Sequence, residues 1–403
     1  MANKNLTNAK RAKNDEFYTQ YSDIQNEIES YLEYDIKAFR GKVVYCNCDD
    51  PFESNFFRYF ALNFRKLGLK QLITTSYKPS PIANTQLQLF GDDKTLVKLK
   101  GRPKITANKF IINDVGDIDR DGDFTLRDVA LQLKANKNNE WAPLEGNGDF
   151  RSDECIDLLE QSDIVVTNPP FSLFREYVNQ LMDHNKKFII IGNMNAITYK
   201  EIFPMIKENK IWLGKGFKRS CAHFFSPYKS DSKWLEEERF KKQGLNVPEG
   251  LYLTRVAGIH WFTNLDHGRR HQELKLMTMT ENKRFNKKIA NNDNSYKKYD
   301  NYNAIEVPFT NAIPSDYKGV MGVPISFLDK YNPDQFEIVG MCENEDLYGL
   351  KIKKYTSAEC KEAYLAKFKR AGTYDLNASG VIILNGLYEK VYQRILIKHR
   401  STK

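Results

Sequence analysis

Short apolar runs separated by helix-length segments recur through the first half of the chain: GKVVYC at 41–46, KQLITTSY at 70–77, KFIINDV at 109–115, DIVVTN at 163–168 and KKFIIIGN at 186–193. Strands that are apolar at consecutive positions need cover on both faces, which helices flanking a parallel sheet supply. The segments between them have helical spacing. Ile24, Ile28, Tyr31 and Leu32 form one face behind a capping pair at Ser22 and Asp23, and SNFFRYFALNFRKLGL at 54–69 repeats aromatics at that period. The expected fold is α/β, with a doubly wound, mostly parallel sheet. IWLGKG at 211–216 and GIHWFTNL at 258–265 add strands, so the sheet runs to about residue 215 and resumes near 258–265. Residues 217–257 show no clean period, 266–300 are the most polar stretch and are expected to include a mobile loop, and a last region from about 301 carries the strand-like runs FEIVGM, GVIILNG and VYQRILIKH.

A length of 403 residues leaves room for two or three domains at roughly 150 residues each. No window approaches the roughly 18 consecutive apolar residues of a membrane-spanning helix, and the start, MANKNLTNAKRAK, lacks the apolar centre of a signal peptide. A cytoplasmic protein without membrane association is expected. Cysteines at 46, 48, 155, 221, 342 and 360 form no CxxC pair, so free thiols are expected, not a zinc ribbon or a disulfide framework.

Charge is unevenly spread. The first thirteen residues hold four basic and no acidic side chains, residues 268–300 nine basic against four acidic, and the stretch from Leu387 five against one. With Tyr296, Tyr299, Tyr388 and Tyr392 interleaved, these clusters suit a phosphate backbone. On charge alone, solvated basic faces are an equal alternative.

The run Ile164–Thr167 ends in Asn168-Pro169-Pro170-Phe171, and proline has no N–H with which to continue strand pairing. In open α/β sheets, ligands bind beyond the carboxyl ends of the strands. This turn and the polar turn Asn47–Pro51 after the first strand therefore share one rim. The tetrapeptide resembles the NPPF signature of amino-methyltransferases, which move a methyl group from S-adenosylmethionine to an exocyclic nitrogen, most often adenine N6. Such an amine is a poor nucleophile because its lone pair is delocalised into the ring. Two acceptors on its protons, the Asn168 side-chain oxygen and the Pro169 carbonyl, would favour the pyramidal nitrogen needed for attack. Pro169 and Pro170 would hold that carbonyl rigidly, and Phe171 would stack on the base.

The resemblance extends over nearly the whole chain. NDEFYTQYSDI, VVYCNCDDP, SNFFRYF, GDFRSDECIDLL, TNPPFSLFREYV, ITYKEIF, HWFTNLDH, MGVPISFLDKYNPDQFEIVG and ILNGLYEKVYQRILIKHR are similar to the EcoRI-type adenine-specific DNA methyltransferase family. The resemblance implies a Rossmann-like methyltransferase sheet with DNA-recognition insertions and a C-terminal region. It implies a catalytic part at 1–215, completed near 258–265, a DNA-contacting insertion with a mobile basic loop at 216–300, and a target-recognition region at 301–403. It also implies S-adenosylmethionine as donor, double-stranded DNA as substrate, a flipped-out adenine, a monomer, and a cognate restriction endonuclease as candidate partner. Phe17, Tyr18 and Thr19 would border the methionine end of the cofactor, Asn47, Asp49, Asp50 and Pro51 would line it, and Tyr77, Asp149 and Phe150 would meet its adenine. The chain departs from the wider superfamily in having no glycine in CNCDDPFES and no acid at the end of ITTSYKP. Another amino-methyltransferase, acting on RNA or on cytosine N4, and a catalytically silent DNA-binding protein are the alternatives.

DIDRDGDFTLRD at 117–128 has the spacing of a calcium loop, with Asp117, Asp119, Asp121, Asp123 and Asp128 as oxygen ligands; an acidic surface turn is the competing expectation. His260, His267 and His271 are expected to be DNA-facing and not metal ligands.

Overall fold

The structure, a computed structural model, describes residues 19–48, 54–77, 107–122, 124–134, 138–217, 221–226, 252–374 and 380–400. The chain divides into two compact units, Met1–Ile202 with Ile211–His267 and Phe203–Lys210 with Gly268–Lys403.

The first unit contains strands β1 (Val43–Cys46), β2 (Gln71–Thr75), β3 (Asn108–Ile112), β4 (Glu140–Pro143), β5 (Ile164–Thr167), β6 (Lys187–Asn193), β7 (Trp212–Leu213), β8 (Cys221–Ser226), β9 (Tyr252–Ala257) and β10 (Ile259–Thr263). Eight of them form one sheet in the order β4-β3-β2-β1-β5-β6-β10-β7, while β8 and β9 pair as a separate antiparallel hairpin. β2, β1, β5 and β6 pair in parallel. Only β3 and β10 run against the others, so six of the eight strands share a direction. β1 and β5 are buried at every position, as strands covered on both faces must be. β3 alternates buried and half-buried residues, which an antiparallel flank tolerates.

Local chemistry sets the helices between these strands. The Ser54 side chain accepts from Phe56 N and Phe57 N and starts the helix Asn55–Leu62. Ser152 caps Asp153–Gln161, whose first turn carries Asp153 and Glu154 at the positive end of the dipole. In Phe174–Asp183 the buried residues Phe174, Tyr177, Val178 and Leu181 fall on one face. The first helix spans Tyr21–Tyr34, with Gln20 at its cap position and no side-chain cap bond, so the expected Ser22–Asp23 cap is not used.

Two elements escaped the sequence pattern. β4 reads Glu-Trp-Ala-Pro, too short and mixed to show a period, and β8–β9 lie in the aperiodic 217–257 stretch. The polar stretch 266–300 contains the helices Met279–Phe285 and Lys287–Ala290, the first held by a capping box between Thr278 and Glu281.

The second unit contains β11 (Ile305–Glu306), β12 (Met321–Pro324), β13 (Phe336–Met341), β14 (Val381–Leu384), β15 (Leu387–Lys390) and β16 (Arg394–His399). They form a four-stranded sheet, β11-β12-β16-β13, and a hairpin, β14-β15. Its core gathers Tyr299, Tyr302, Cys342, Ile382, Leu384 and Leu396. Arg394 and Glu306 form a buried ion pair at 2.8 Å, and the Tyr299 hydroxyl also donates to Glu306. Among the described residues no helix is long and apolar enough to cross a membrane.

Candidate active site

The strand order reverses between β1 and β5: the chain leaves β1 for β2 on one side, and β5 returns on the other. Such a reversal opens a crevice at the carboxyl ends of the strands. Val44 pairs with Ile164 and Tyr45 with Val165, so Asn47 and Asn168 leave the sheet at nearly the same level.

Asn47 is fixed from three directions. The Thr167 hydroxyl donates to its main-chain carbonyl, the Tyr177 hydroxyl donates to its Oδ1, and the residue is 3% exposed. Among the described residues no hydrogen bond from its Nδ2 is seen. Cys48 then adopts a left-handed backbone, φ 67°. This is the conformation a glycine would take most cheaply, costing a non-glycine residue on the order of 1 kcal/mol or more. In this glycine-free segment Cys48 thus takes a glycine-like geometry, directly after an Asn47 held by Thr167 and Tyr177. Neither residue was marked by the sequence reading; the one available signal was a tyrosine on the apolar face of the helix that follows Asn168-Pro169-Pro170-Phe171.

On the β5 side, Asn168 and Pro169 are buried while Pro170 and Phe171 are half-buried. Among the described residues the Pro169 carbonyl accepts no hydrogen bond, whereas the Pro170 carbonyl takes Leu173 N at 3.0 Å. The turn is locked by the next helix. The Phe174 ring covers Gly192 of β6, where a Cβ would stand 2.4 Å from it, and packs at 5.0 Å on Phe262.

The GNGDF segment closes a third side. Gly148, at φ +76°, lies so close to the end of β2 that a Cβ would sit 1.9 Å from the Ser76 carbonyl. Arg151 grips both oxygens of Asp149, at 2.8 and 2.6 Å, and also reaches Glu176 at 3.3 Å. The guanidinium's hydrogen bonds hold the Asp149 carboxyl below its ordinary range. Phe150 is 5% exposed and edge-on to Tyr177 at 5.0 Å, so its ring is part of the packing beneath Asn47. Tyr77, just past β2, is 37% exposed.

Thr19 is tied to this rim by Asn55 Nδ2, which donates to its carbonyl at 2.7 Å. Its own hydroxyl is buried without a hydrogen-bond partner among the described residues, an arrangement that suits a polar ligand. Phe17, Tyr18, Asp49, Asp50, Pro51 and Asp123 lie outside the described residues.

Asp117, Asp119 and Asp128 bring one oxygen each within 4.8 Å of one another. The Asp128 oxygens accept from Ile118 N, Asp119 N, Thr125 N and the Thr125 hydroxyl, so this carboxylate also organises the turn and the helix start behind it. Asp121 donates its N–H to Asp119 Oδ1 at 3.3 Å in the same exposed turn. Two of the histidines are not DNA-facing. His260, on the antiparallel strand β10, and His267, four residues past its end, are each 2% exposed and bonded to the carbonyls of Trp261 and Leu213 respectively. His271 is exposed, 3.7 Å from Asp334. Cys46, Cys48, Cys155, Cys342 and Cys360 form no disulfide.

The family model described as "Adenine-specific methyltransferase EcoRI" matches residues 5–400. The Type II methyltransferase M.EcoRI of Escherichia coli is 43% identical over 87% of this chain and 93% of its own length. M.MgeORF184P of Mycoplasma genitalium is 35% identical over 98% of both chains, and M.MpnI of Mycoplasma pneumoniae 34% over 90% of this chain and 94% of its own. No solved structure matches. With a polar crevice at the β1/β5 reversal and a family match over almost its entire length, the chain belongs to the EcoRI family of adenine-specific DNA methyltransferases.

Proposed function

We propose that this methyltransferase transfers the methyl group of S-adenosylmethionine to N6 of an adenine flipped out of double-stranded DNA at a short specific sequence. The observation that carries the reading is the emergence of Asn168-Pro169-Pro170-Phe171 at the strand-order reversal, with the Pro169 carbonyl accepting no hydrogen bond among the described residues. When bound, S-adenosylmethionine supplies an electrophilic methyl group. The chain's own residues prepare the acceptor. The Asn168 oxygen and the Pro169 carbonyl take the two amine protons, which draws the lone pair out of conjugation. Phe171 stacks on the purine, for roughly 1–3 kcal/mol. A neutral Asn168 suffices, because the methylated nitrogen becomes cationic and sheds its proton readily.

The residues around Asn47 fit the cofactor. Thr19 offers a buried hydroxyl, Asn47 an amide donor, Tyr77 a partly exposed ring, and Asp149 a carboxylate fixed by Arg151. Phe150 acts from beneath, through Tyr177. Phe17, Tyr18, Asp49, Asp50 and Pro51 complete the proposed set. In this reading residues 1–215 with 258–265 carry the chemistry, and 216–300 and 301–403 grip and read the duplex. The enzyme acts as a monomer in the cytoplasm, with a cognate restriction endonuclease as candidate partner. Extracting the adenine costs a few kcal/mol of unstacking, drawn from DNA contacts.

Transfer of labelled methyl groups to unmethylated duplex DNA, followed by nucleoside analysis, tests the reading. N6-methyladenine is the expected product. Label in RNA or in N4-methylcytosine would select a different amino-methyltransferase, and no transfer at all would leave a DNA-binding protein on this fold.

A further inference from the structure

Four cations of the second unit lie in close ion pairs. Lys210 meets Glu208, Lys367 meets Glu389, Arg394 meets Glu306, and Lys398 meets Glu337, at 2.7 to 3.1 Å. The two short helices Met279–Phe285 and Lys287–Ala290 are different. Residues 282–292 contain Lys283, Arg284, Lys287 and Lys288 and no acid. Among the described residues none of these four cations has a carboxylate within ion-pair distance. The nearest acids in sequence and fold are committed to capping: Glu281 accepts from Thr278 N and its hydroxyl, and Asp316 from Met279 N.

The element is anchored from below. Asn282 is fully buried and donates to the Met277 and Thr278 carbonyls, and Ile289 is buried in the second helix. The four cations are exposed, and so is Phe285, at 62%. Aromatic rings steady the long side chains. Lys283 stands 5.9 Å over Tyr296, Arg284 5.1 Å over Phe285, and Lys288 5.3 Å over Phe309. A cationic ridge with one exposed aromatic ring is complementary to a polyanion that has apolar sugar and base surface between its charges.

Resting on the reading of this chain as a DNA methyltransferase, we propose that this ridge is a docking surface for duplex DNA. Lys283, Arg284, Lys287 and Lys288 hold backbone phosphates, and Phe285 lies against the sugars and bases between them. The cations act by charge and contribute sequence-independent affinity. Phe285 acts by apolar contact, so its share does not depend on salt.

Titration of a labelled duplex between about 50 and 200 mM salt tests this with the full-length protein. Each phosphate contact contributes about 0.9 to the slope of log affinity against log salt. The variant K283Q/R284Q/K287Q/K288Q should therefore bind with a slope shallower by about 3.6 and at least roughly tenfold more weakly at the low-salt end. K283R/K287R/K288R should keep the wild-type slope, and F285A should weaken binding several-fold with the slope unchanged. An unaltered slope in the glutamine variant, or an equal loss in the arginine variant, overturns the proposal. Methyl transfer by the wild type is measured alongside. If transfer occurs and the ridge variants bind normally, only the docking surface is wrong; if the wild type modifies no duplex, the functional reading itself falls.

Discussion

In the proposed mechanism, replacing Asn168 by alanine removes one of the two acceptors on the target amine while leaving the Asn47 rim in place. Losing a preorganised polar partner of a transition state typically costs 100- to 1,000-fold in rate. Asn168→Ala should therefore lower kcat by at least about a hundredfold with cofactor affinity nearly unchanged, measured by single-turnover methylation and by calorimetric titration with S-adenosylmethionine. A near-normal rate would remove the two-acceptor argument. Tyr177 should divide its effects the other way. Its hydroxyl bonds Asn47 Oδ1 and its ring supports Phe150, so Tyr177→Phe keeps the packing and loses only the bond. A buried acceptor left unsatisfied costs about 1–3 kcal/mol. Cofactor binding should weaken by roughly 5- to 100-fold, with the loss in kcat itself much smaller than that of Asn168→Ala. Cofactor affinity equal to wild type would mean that Tyr177 does not position the turn.

At the level of elements, the segment after β7 is bound to the first helix by a buried carboxylate. Glu27 Oε1 accepts from Tyr31 and from Lys215 N, and Oε2 from Gly216 N. Gly214 makes the approach possible, since a Cβ there would stand 2.0 Å from Glu27 Oε1. Burial raises the Glu27 pKa above its ordinary 4.5, outweighing the Gly216 bond, the nearby His260 and the other donors that pull it down. A carboxyl with a raised folded-state pKa binds its proton more tightly in the fold than in the unfolded chain. Its contribution is then greatest below the ordinary carboxylate range and is lost as pH rises through the folded-state value. Urea unfolding of wild type and Glu27→Gln from acidic to neutral pH should show wild type losing ground to the variant as pH rises; parallel curves would refute the sign. Glu27 also illustrates what the sequence leaves hidden. Its helix was legible from Ile24, Ile28, Tyr31 and Leu32, but a glutamate at the inner position looks like an ordinary surface residue until the 214–216 backbone closes on it. The same holds at the site. Asn168-Pro169-Pro170-Phe171 and the polar turn after β1 could be read directly, because proline stops a strand wherever it stands. The bonds from Thr167 and Tyr177 could not, since partners 120 and 130 residues from Asn47 meet only once the strand order is known. β3 and β10 were legible as strands but not in direction, which depends on connections rather than on side-chain pattern.

For the molecule as a whole, two units with separate cores imply two separable stabilities. Phe56, Phe57, Phe60 and Trp261 belong to the core of the first unit, and Tyr299, Tyr302, Cys342 and Leu396 to that of the second. Arg394 is the point at which the second core is most vulnerable. Its guanidinium meets Glu306 through three bonds while Tyr299 holds the same carboxylate, and both charged side chains are less than a tenth exposed. Breaking such a pair from one side strands the other charge in a low-dielectric interior and costs about 3–5 kcal/mol. Arg394→Ala should therefore lower one calorimetric transition, by on the order of 10 °C, and leave another in place. The double variant Arg394→Met with Glu306→Leu, which removes both charges and fills similar volume, should recover most of that loss, because an apolar pair escapes the desolvation penalty. A single transition that moves as one in both variants would show that the two cores unfold together. That outcome would tie the stability of the second unit to that of the sheet that carries Asn168.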